Sequence, residues 1–478
     1  MVAVSSRRDS GSALSTFHTV GRQPLLCESY SHNFSPPSVI RKGLAVTRWT
    51  NWAATETADP ARVVAPRDAE EAASEIRAAV EAGRRVRPLG TGHSFTGVGA
   101  PEDGGVALDL SHWTGVVGVD GELVTVRAGT PLHRLNHELD ELGLAMANLG
   151  DIDRQTVAGA ISTGTHGTGA ALGGLATQVE AVELLLADGS LRRCSATEAP
   201  ELFAAARVGL GALGVVHTVT LRCVPAFDLS ADEHPERLDS VLERFDELAR
   251  DNDHFEFYWF PHSSNTLVKR NNRLPTGTRP EPLGRLRHFV EYEIVENRLF
   301  GALCRIGRGI PATVRPFNRL SGAVLSARSY SDRSHRVFVT RRDVRFVESE
   351  YAVPVEELGA VIGELRSAVG TLEHPVMFPI EVRVAAGDEV WMSTAYRRPS
   401  AYIAIHQFVG MPYRHYFETF ESIVASVGGR PHWGKMHRLD AAALRSRYPR
   451  FDDFLRVRKS VDPGGAFGNS YLDRVLGA

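Results

Sequence analysis

Residues 374–386 read H-P-V-M-F-P-I-E-V-R-V-A-A. On a strand, alternate side chains share a face. Val376, Phe378, Ile380, Val382 and Val384 then form an apolar face, and Met377, Pro379, Glu381 and Arg383 form the other. Strand residues at i and i+2 stand roughly 6.5–7 Å apart, so Glu381 and Arg383 are expected side by side. A fixed guanidinium stabilises developing negative charge without losing its own proton. A carboxylate beside it can hold substrate hydroxyls in place. Spacing by itself also describes, and more commonly, an ordinary solvent-exposed ion pair.

P-H-W-G-K adds His432 and Lys435. A buried lysine near an arginine can have a lowered pKa and assist deprotonation of a hydroxyl. His406, in I-A-I-H-Q-F, lies on a predicted strand and either faces the same pocket or is an interior histidine with its bonds satisfied. The His432-x-x-x-x-His437 spacing is no zinc motif and has no carboxylate nearby to complete one, so no metal is expected.

Two glycine-rich loops must be positioned with these groups. One is Gly90-Thr91-Gly92-His93-Ser94-Phe95; the other runs from Val157 to Ala170 and holds Gly159, Ser162, Gly164, His166 and Gly167. Glycine lets backbone N–H groups approach an anion, and hydroxyls add donors. Neither loop has the Lys-Ser/Thr of a nucleoside triphosphate cradle, and an anion cradle does not explain His93. Residues 209–214, G-L-G-A-L-G, match the dinucleotide fingerprint in letters. That fingerprint needs a strand before and a helix after. Here E-L-F-A-A-A-R predicts a helix before, and V-V-H-T-V-T-L a strand after. The glycines are read instead as a tight turn or as backbone packed close to another ligand.

The supporting elements follow from periodicity. Residues 68–82 predict a helix with Asp68 as cap, Glu71 in a capping box, a stripe of Ala72, Ile76, Ala79 and Val80, and Gly83 as stop. Strands are expected at 85–89, 123–128 and 215–224, a helix over 131–142, and a hairpin turn at Asp188-Gly189. F-E-F-Y-W-F (255–260) and 344–353 predict strands of a second region, whereas 270–335 is Arg/Pro/Gly-rich and its order is not legible. Lys+Arg 54 against Asp+Glu 57 leaves a net charge of −3, which points to no nucleic acid or anionic partner for the chain as a whole. Four scattered cysteines and no run of about 18 apolar residues suggest a reduced, cytoplasmic protein with no transmembrane segment, peripheral membrane contact being left open. Residues 1–42 show no secretory pattern and are expected to be a disordered extension.

Six motifs in order, G-T-G-H-S-F (90–95), A-G-A-I-S-T-G-T-H-G-T-G (158–169), G-A-L-G-V-V (211–216), I-E-V-R (380–383), G-R-P-H-W-G-K (429–435) and N-S-Y-L (469–472), resemble the aldonolactone oxidoreductases of the vanillyl-alcohol-oxidase flavoprotein superfamily. The resemblance implies an α+β fold: a two-subdomain FAD-binding domain of the PCMH type (43–225), a cap domain with a large antiparallel sheet (226–425), and a C-terminal segment (426–478) returning to the FAD domain. It implies FAD held by residues 90–95, Gly159, Ser162, Gly164, His166, Gly167, Gly214, Val215 and His432, with a covalent link from His93 to the 8α-methyl of the flavin. It assigns Arg383 to the anionic reduced flavin, Glu381 to substrate hydroxyls, Lys435 to deprotonation and His406 to the same pocket. The implied reaction is oxidation of an aldono-1,4-lactone, of the L-gulono- or L-galactono-lactone type, at C2 by hydride transfer to flavin N5. Electrons would pass to O2 or to a cytochrome- or quinone-type acceptor. The alternative is an alditol oxidase making H2O2 from xylitol or sorbitol. Ala160, where those enzymes usually carry a substrate-contacting serine, counts against it. A noncatalytic flavin- or sugar-binding protein is a third reading, disfavoured by the intact Glu381, Arg383 and Lys435.

Overall fold

Why the glycine loops and the Glu-x-Arg strand meet is decided by three sheets. The computed structural model describes residues 41–42, 47–323, 326–340 and 342–477. The extension expected over 1–42 lies outside these, except that Arg41–Lys42 pair as a short strand with Thr47–Thr50.

A parallel sheet comes first: β1 (Arg62–Val64), β2 (Val86–Leu89) and β3 (Val106–Asp109), with β3 in the middle. Helix α1 (Ala69–Glu81) makes the crossover. Asp68 caps it as expected, accepting the Glu71 N–H at 2.9 Å, but the reciprocal bond is shifted by one residue: Glu71 accepts the Arg67 N–H at 2.8 Å instead of that of Asp68. Its buried stripe is Ala72, Ala73, Ile76 and Ala79. Val80 faces out, contrary to expectation, because one further residue turns it about 100° past Ala79. The 90–95 loop leaves directly from the end of β2.

A five-stranded antiparallel sheet follows: β4 (Val116–Asp120), β5 (Leu123–Arg127), β6 (Val179–Leu185), β7 (Leu191–Ser195) and β8 (Val215–Arg222), in the order β7-β6-β8-β5-β4. Gly189 supplies the positive φ of the β6–β7 hairpin. Helix α2 (Leu132–Glu141) and the short α3 (Val157–Thr163) follow β5; Thr156 caps α3 by accepting the Gly159 N–H at 3.1 Å. Helix α4 (Pro200–Ala206) precedes G-L-G-A-L-G and β8 follows it, the inverse of a dinucleotide fingerprint.

The third sheet has eight antiparallel strands: β9 (Asp228–Arg237), β10 (His254–Trp259), β11 (Asn265–Arg273), β12 (Arg328–Arg333), β13 (Phe346–Pro354), β14 (Ile380–Ala385), β15 (Ser400–Phe408) and β16 (Arg430–Pro431). Their order is β12-β9-β11-β10-β14-β15-β13-β16. One face is apolar. Phe255, Phe257, Val353, Ile380, Val382, Val384, Ile403 and Ile405 pack against α5 (Leu358–Thr371) and α6 (Arg414–Ser426). The opposite face is buried yet charged: Glu256, Lys269, Glu348, Glu350, Glu381, Arg383 and His406. Strand β14 is shorter than the sequence suggests. It begins at Ile380, so Phe378 leaves the apolar face and packs instead with Phe95 and Phe346. Pro375 and Pro379 lack the N–H a central strand needs.

The unordered 270–335 stretch resolves into a helical excursion between β11 and β12. After β16, the chain adds α7 (Phe451–Val461) and α8 (Ser470–Leu476), whose Phe451, Phe454, Val457, Leu472 and Val475 share one apolar core with α1, β5 and β8.

Candidate active site

Two cavities share His93, Ser94 and Gln155. The first, of about 860 Å³ counting the space open to solvent, is bounded by Gly90, Thr91, Gly92, Gly159, Ser162, Gly211 and Gly214 among others. Its walls are mostly backbone and hydroxyl. A Cβ on Gly90 would come within 2.8 Å of Thr156 Oγ1, and one on Gly214 within 2.7 Å of the Leu185 carbonyl oxygen. The lining guanidinium, Arg87, is buried and donates to the carbonyls of Gly211 (2.8 Å), Phe467 (2.9 Å), Leu210 and Val98. It stitches the 209–214 turn to the loop after β2 and leaves little for a ligand. Two buried groups on this wall, Trp49 Nε1 and His93 Nε2, have no hydrogen-bond partner among the described residues. Orphaned buried polar atoms of this kind call for an explanation. Backbone donors, hydroxyls and an unpartnered imidazole fit a dinucleotide with its pyrophosphate among the glycines. They fit FAD.

The second cavity, of about 600 Å³, is lined by Trp52, His93, Phe95, Asp151, His166, Glu350, Arg383, His432 and Lys435 among others. Three loops converge on it. Thr168 and Gly169 bond to the end of β14, with Gly169 N–H to the Val384 carbonyl at 2.8 Å, which sets the second glycine loop beside Arg383. The loop after β16 continues along β13, with His432 N–H to the Glu350 carbonyl at 3.0 Å and Met436 N–H to the Glu348 carbonyl at 2.9 Å. It also docks on the first loop, with Phe95 N–H to the Gly434 carbonyl at 2.7 Å. Lys435 is carried in by these bonds.

Sheet register assembles the charges. Glu256 pairs across from Arg383, Tyr258 from Glu381 and Glu348 from His406. Arg383 Nε donates to Glu256 at 2.9 Å, and its Nη2 reaches Asp151 at 3.2 Å and Glu381. Burial opposes this guanidinium's charge, but Glu381, Asp151 and Glu256 outweigh it and hold the pKa well above the usual value. Lys269 lies 2.9 Å from Glu256 and Arg342 2.5 Å from Asp151. Burial opposes ionisation of both acids, but these cations and Arg383 win, and Glu256 falls to about 2. Glu381 shares Arg383 with both and has no adjacent cation of its own. Burial therefore dominates and raises its pKa.

Glu381 is not on the cavity wall. It accepts a hydrogen bond from Tyr258 at 3.0 Å and backs Arg383. His406 also lines neither cavity. Its Nε2 lies 3.3 Å from Glu348, which pairs with Lys435. The expected lowering of the Lys435 pKa is overturned. Burial works in that direction, but Glu348 and Glu350 outweigh it, and the pKa is raised. His166 Nε2 meets Glu350 at 2.7 Å, and its ring stacks on Tyr402 at 3.6 Å. His432 Nδ1 accepts the Gly434 N–H at 3.1 Å, and burial lowers its pKa to about 3. Ligand atoms of His166, Glu350 and His432 lie within 4.8 Å of one another, a convergence no linear motif announces.

Among the other expected FAD contacts, Gly164, Gly167 and Val215 line neither cavity. Gly164 ends α3 at φ 78°. A Cβ on Gly167 would come within 2.2 Å of the Leu149 carbonyl oxygen, and Val215 is core. Ala160 is likewise buried core, facing neither cavity, so its size carries no information about polyols. Trp52, tilted 30° from the His93 ring at 5.6 Å, and Asp151, Glu256, Glu348, Glu350 and Arg342 are site groups that sequence reasoning missed. Glu256, Glu348 and Glu350 lie within strands and Asp151 and Arg342 in loops, and no local pattern marks any of them as site groups.

Residues 219–475 match the family model for D-arabinono-1,4-lactone oxidase, and residues 60–195 match an FAD binding domain. The chain belongs to the D-arabinono-1,4-lactone oxidase family. It is 40% identical to the L-gulono-1,4-lactone dehydrogenase of Mycobacterium tuberculosis, covering 90% of this chain and 99% of that one. It is 34% identical to the L-gulonolactone oxidase of Bos taurus, over 91% and 99%. In fold it is similar to a solvent-stable cholesterol oxidase, with a TM-score of 0.77 at 19% identity over 90% of this chain and 97% of that one.

Proposed function

We propose that the protein oxidises the C2 hydroxyl of an aldono-1,4-lactone of the L-gulono or L-galactono type, with FAD held across both cavities. The observation carrying this reading is that Arg383, Lys435, Asp151 and Glu350 face one volume which His93 joins to the glycine-lined one. FAD, when bound, supplies the acceptor for the hydride that leaves the carbinol carbon. Residues 90–94, Gly159, Ser162 and Gly214 would hold it by backbone donors and hydroxyls. Arg383 stabilises negative charge arising beside it and, locked by three carboxylates, needs no reorganisation to do so. Lys435 remains an ammonium and donates to the reacting oxygen, which eases loss of the hydroxyl proton. Glu350 is backed by His166, and although burial opposes its charge, His166 and Lys435 hold its carboxyl well below the usual range, so it accepts a hydrogen bond that orients the hydroxyl, and the proton leaves to solvent. His432 has its Nδ1 lone pair committed to Gly434, so it serves as a neutral donor. Glu381 and His406 act at one remove, through Arg383 and Glu348.

His93 is assigned as the covalent anchor. Burial and the charges of Arg154 and Lys435 lower its pKa to about 4, leaving a neutral imidazole with a lone pair to share. With FAD bound, an imidazole nitrogen of His93 would supply the link to the flavin 8α-carbon. Acid-precipitated protein should stay yellow, and His93→Ala should release free FAD; free FAD from the wild type refutes the link. Anaerobic bleaching of the flavin band by L-gulonolactone or L-galactonolactone, but not by xylitol or sorbitol, is the result expected of the substrate class. Bleaching by polyols alone replaces it with the alditol reading. Air admitted afterwards separates rapid reoxidation by O2 from the need for another acceptor.

A further inference from the structure

A single row of charges crosses the third sheet and ends at Arg383. Register sets Arg328 on β12 opposite Glu233 on β9, Glu233 opposite Lys269 on β11, Lys269 opposite Glu256 on β10, and Glu256 opposite Arg383 on β14. Residues directly opposite in an antiparallel pair share a face, so cation and anion alternate across five neighbouring strands. With strands about 4.8 Å apart, the row is roughly 19 Å long. Contacts follow the alternation: Arg328 Nε lies 2.7 Å from Glu233, Lys269 Nζ 2.9 Å from Glu256, and Arg383 Nε 2.9 Å from Glu256. The side chains of Glu233, Lys269 and Glu256 are 1%, 9% and 7% exposed. At the outer end Arg328 also meets Glu291 and Glu296, at 3.1 and 3.2 Å, and stands over the Tyr292 ring, all three on the helical excursion between β11 and β12.

Stability does not account for this row. Apolar residues of similar volume often match or better a buried ion pair, and the other face of β10, β11 and β14 is built of them, with Phe255, Phe257, Val268 and Val382. Nor does Lys269 reach the reacting groups, since it lines neither cavity. Its effect falls on Glu256. That carboxylate turns one oxygen to Arg383 and the other to Lys269. Burial opposes the Glu256 charge, and of the two cations that outweigh burial, Lys269 is the stronger influence. Burial also opposes the Lys269 charge, but Glu256, Tyr258 and Glu233 outweigh it and hold the ammonium. The row holds three cations and two anions. Without Lys269 the surplus positive charge is gone, and the whole charge of Glu256 falls on the guanidinium that faces the second cavity. Such a change is felt at several ångströms through a poorly screening interior.

We propose that Lys269 is a positioning residue for the oxidation: by pairing with Glu256 from the far side, it leaves the Arg383 guanidinium able to meet negative charge arising in the second cavity. The proposal rests on Arg383 having that task. The test compares the full-length FAD-loaded wild type with Lys269→Met, Lys269→Arg, Lys269→Met combined with Glu256→Gln, and Glu233→Gln. One readout is the midpoint potential of the bound flavin, by equilibration with a reference dye; the other is its anaerobic bleaching by L-gulonolactone. Lys269→Met should lower the potential by about 30 mV, a tenfold change for a two-electron couple. It should slow bleaching about tenfold at saturating lactone while KM moves less than about twofold. Lys269→Arg should restore both, and removing the Glu256 charge along with that of Lys269 should recover most of both losses. In Lys269→Met the bleaching deficit should also shrink as pH falls and Glu256 takes a proton, its remaining neighbours being Arg383, Asp151 and the Tyr258 hydroxyl. Glu233→Gln takes a negative charge from behind Lys269 and should raise the potential, which decides the matter even if Lys269→Met does not hold flavin. The proposal is overturned if Lys269→Met, with full flavin content, keeps the wild-type potential and bleaching rate, if the double variant is as slow as the single one, or if Glu233→Gln fails to raise the potential. Should lactone not bleach the wild-type flavin, the substrate reading falls, whereas the potentials still decide the role of Lys269.

Discussion

Replacing Arg383 by alanine separates its two tasks. The guanidinium serves Glu256, Asp151 and Glu381 at once. Lys269 and Arg342 remain for the first two, so the deletion strands Glu381. An uncompensated buried charge costs about 3–5 kcal/mol. Glu381 can escape part of this by binding a proton, since burial already raises its pKa. The sign follows. A carboxyl whose folded pKa lies above its unfolded value stabilises fully below the unfolded pKa, and that stability is lost as pH rises through the folded pKa. Arg383→Ala should therefore lose stability on going from about pH 5 to about pH 8. In the wild type, Glu256, with a folded pKa of about 2, contributes stability above the normal carboxyl range and loses it on acidification. Arg383→Lys keeps the charge but not the fork, so it loses one or two charge-assisted bonds at about 1.5–3 kcal/mol each. On the rate, removing a preorganised charge donor costs about 10²–10³-fold. Stopped-flow bleaching by lactone should slow by that factor in Arg383→Ala with FAD still bound, and by less in Arg383→Lys. Wild-type bleaching rates in Arg383→Ala would remove Arg383 from the chemistry. Unaltered stability with no reversal of its pH dependence would refute the charge accounting.

Two further outcomes rest on the same geometry. Glu348→Gln removes the largest influence holding Lys435 protonated, so the lysine pKa should fall and the pH–rate profile of flavin reduction should gain a limb at lower pH than in the wild type; an unchanged profile would show that Lys435 does not bear on the step. His432 and His437 are buried with pKa values of about 3, so the unfolded chain binds their protons first, and stability should fall as pH drops below about 6.5, by up to roughly 1.4 kcal/mol per pH unit for each histidine. A urea midpoint that stays level between about pH 6.5 and 5, above the carboxyl range, would contradict this.

Local chemistry made much of the site legible in advance. Gly90, Gly92 and Gly159 were identifiable because a backbone approaching an anion admits few other residues, Gly214 followed from the family resemblance, and all four line one cavity. The inverted surroundings of 209–214 counted against a dinucleotide fingerprint there, and helix α4 and strand β8 stand in that inverted order. Alternation likewise put Glu381 and Arg383 opposite Ile380 and Val382. Missed groups were of another kind. Asp151 is an acid in a loop, Glu256 and Glu348 are alternate residues on strands that read as ordinary, and Trp52 sits far ahead of its partners in the chain. Nothing local distinguishes these from surface residues.

Where a segment is strongly periodic, the sequence by itself determined strand, helix or tight loop and most of the side chains each presents, since pleat, helical turn and glycine freedom act over a few residues. Only the tertiary structure decided which charges meet. The pKa of Lys435 rises because Glu348, 87 positions away in the chain, is brought to it by a loop running along β13. Burial raises the pKa of Glu381 because the nearby Lys269 and Arg342, from other segments, pair with the neighbouring acids instead. Electrostatic interaction depends on distance through a poorly screening interior, and sequence separation does not measure that distance.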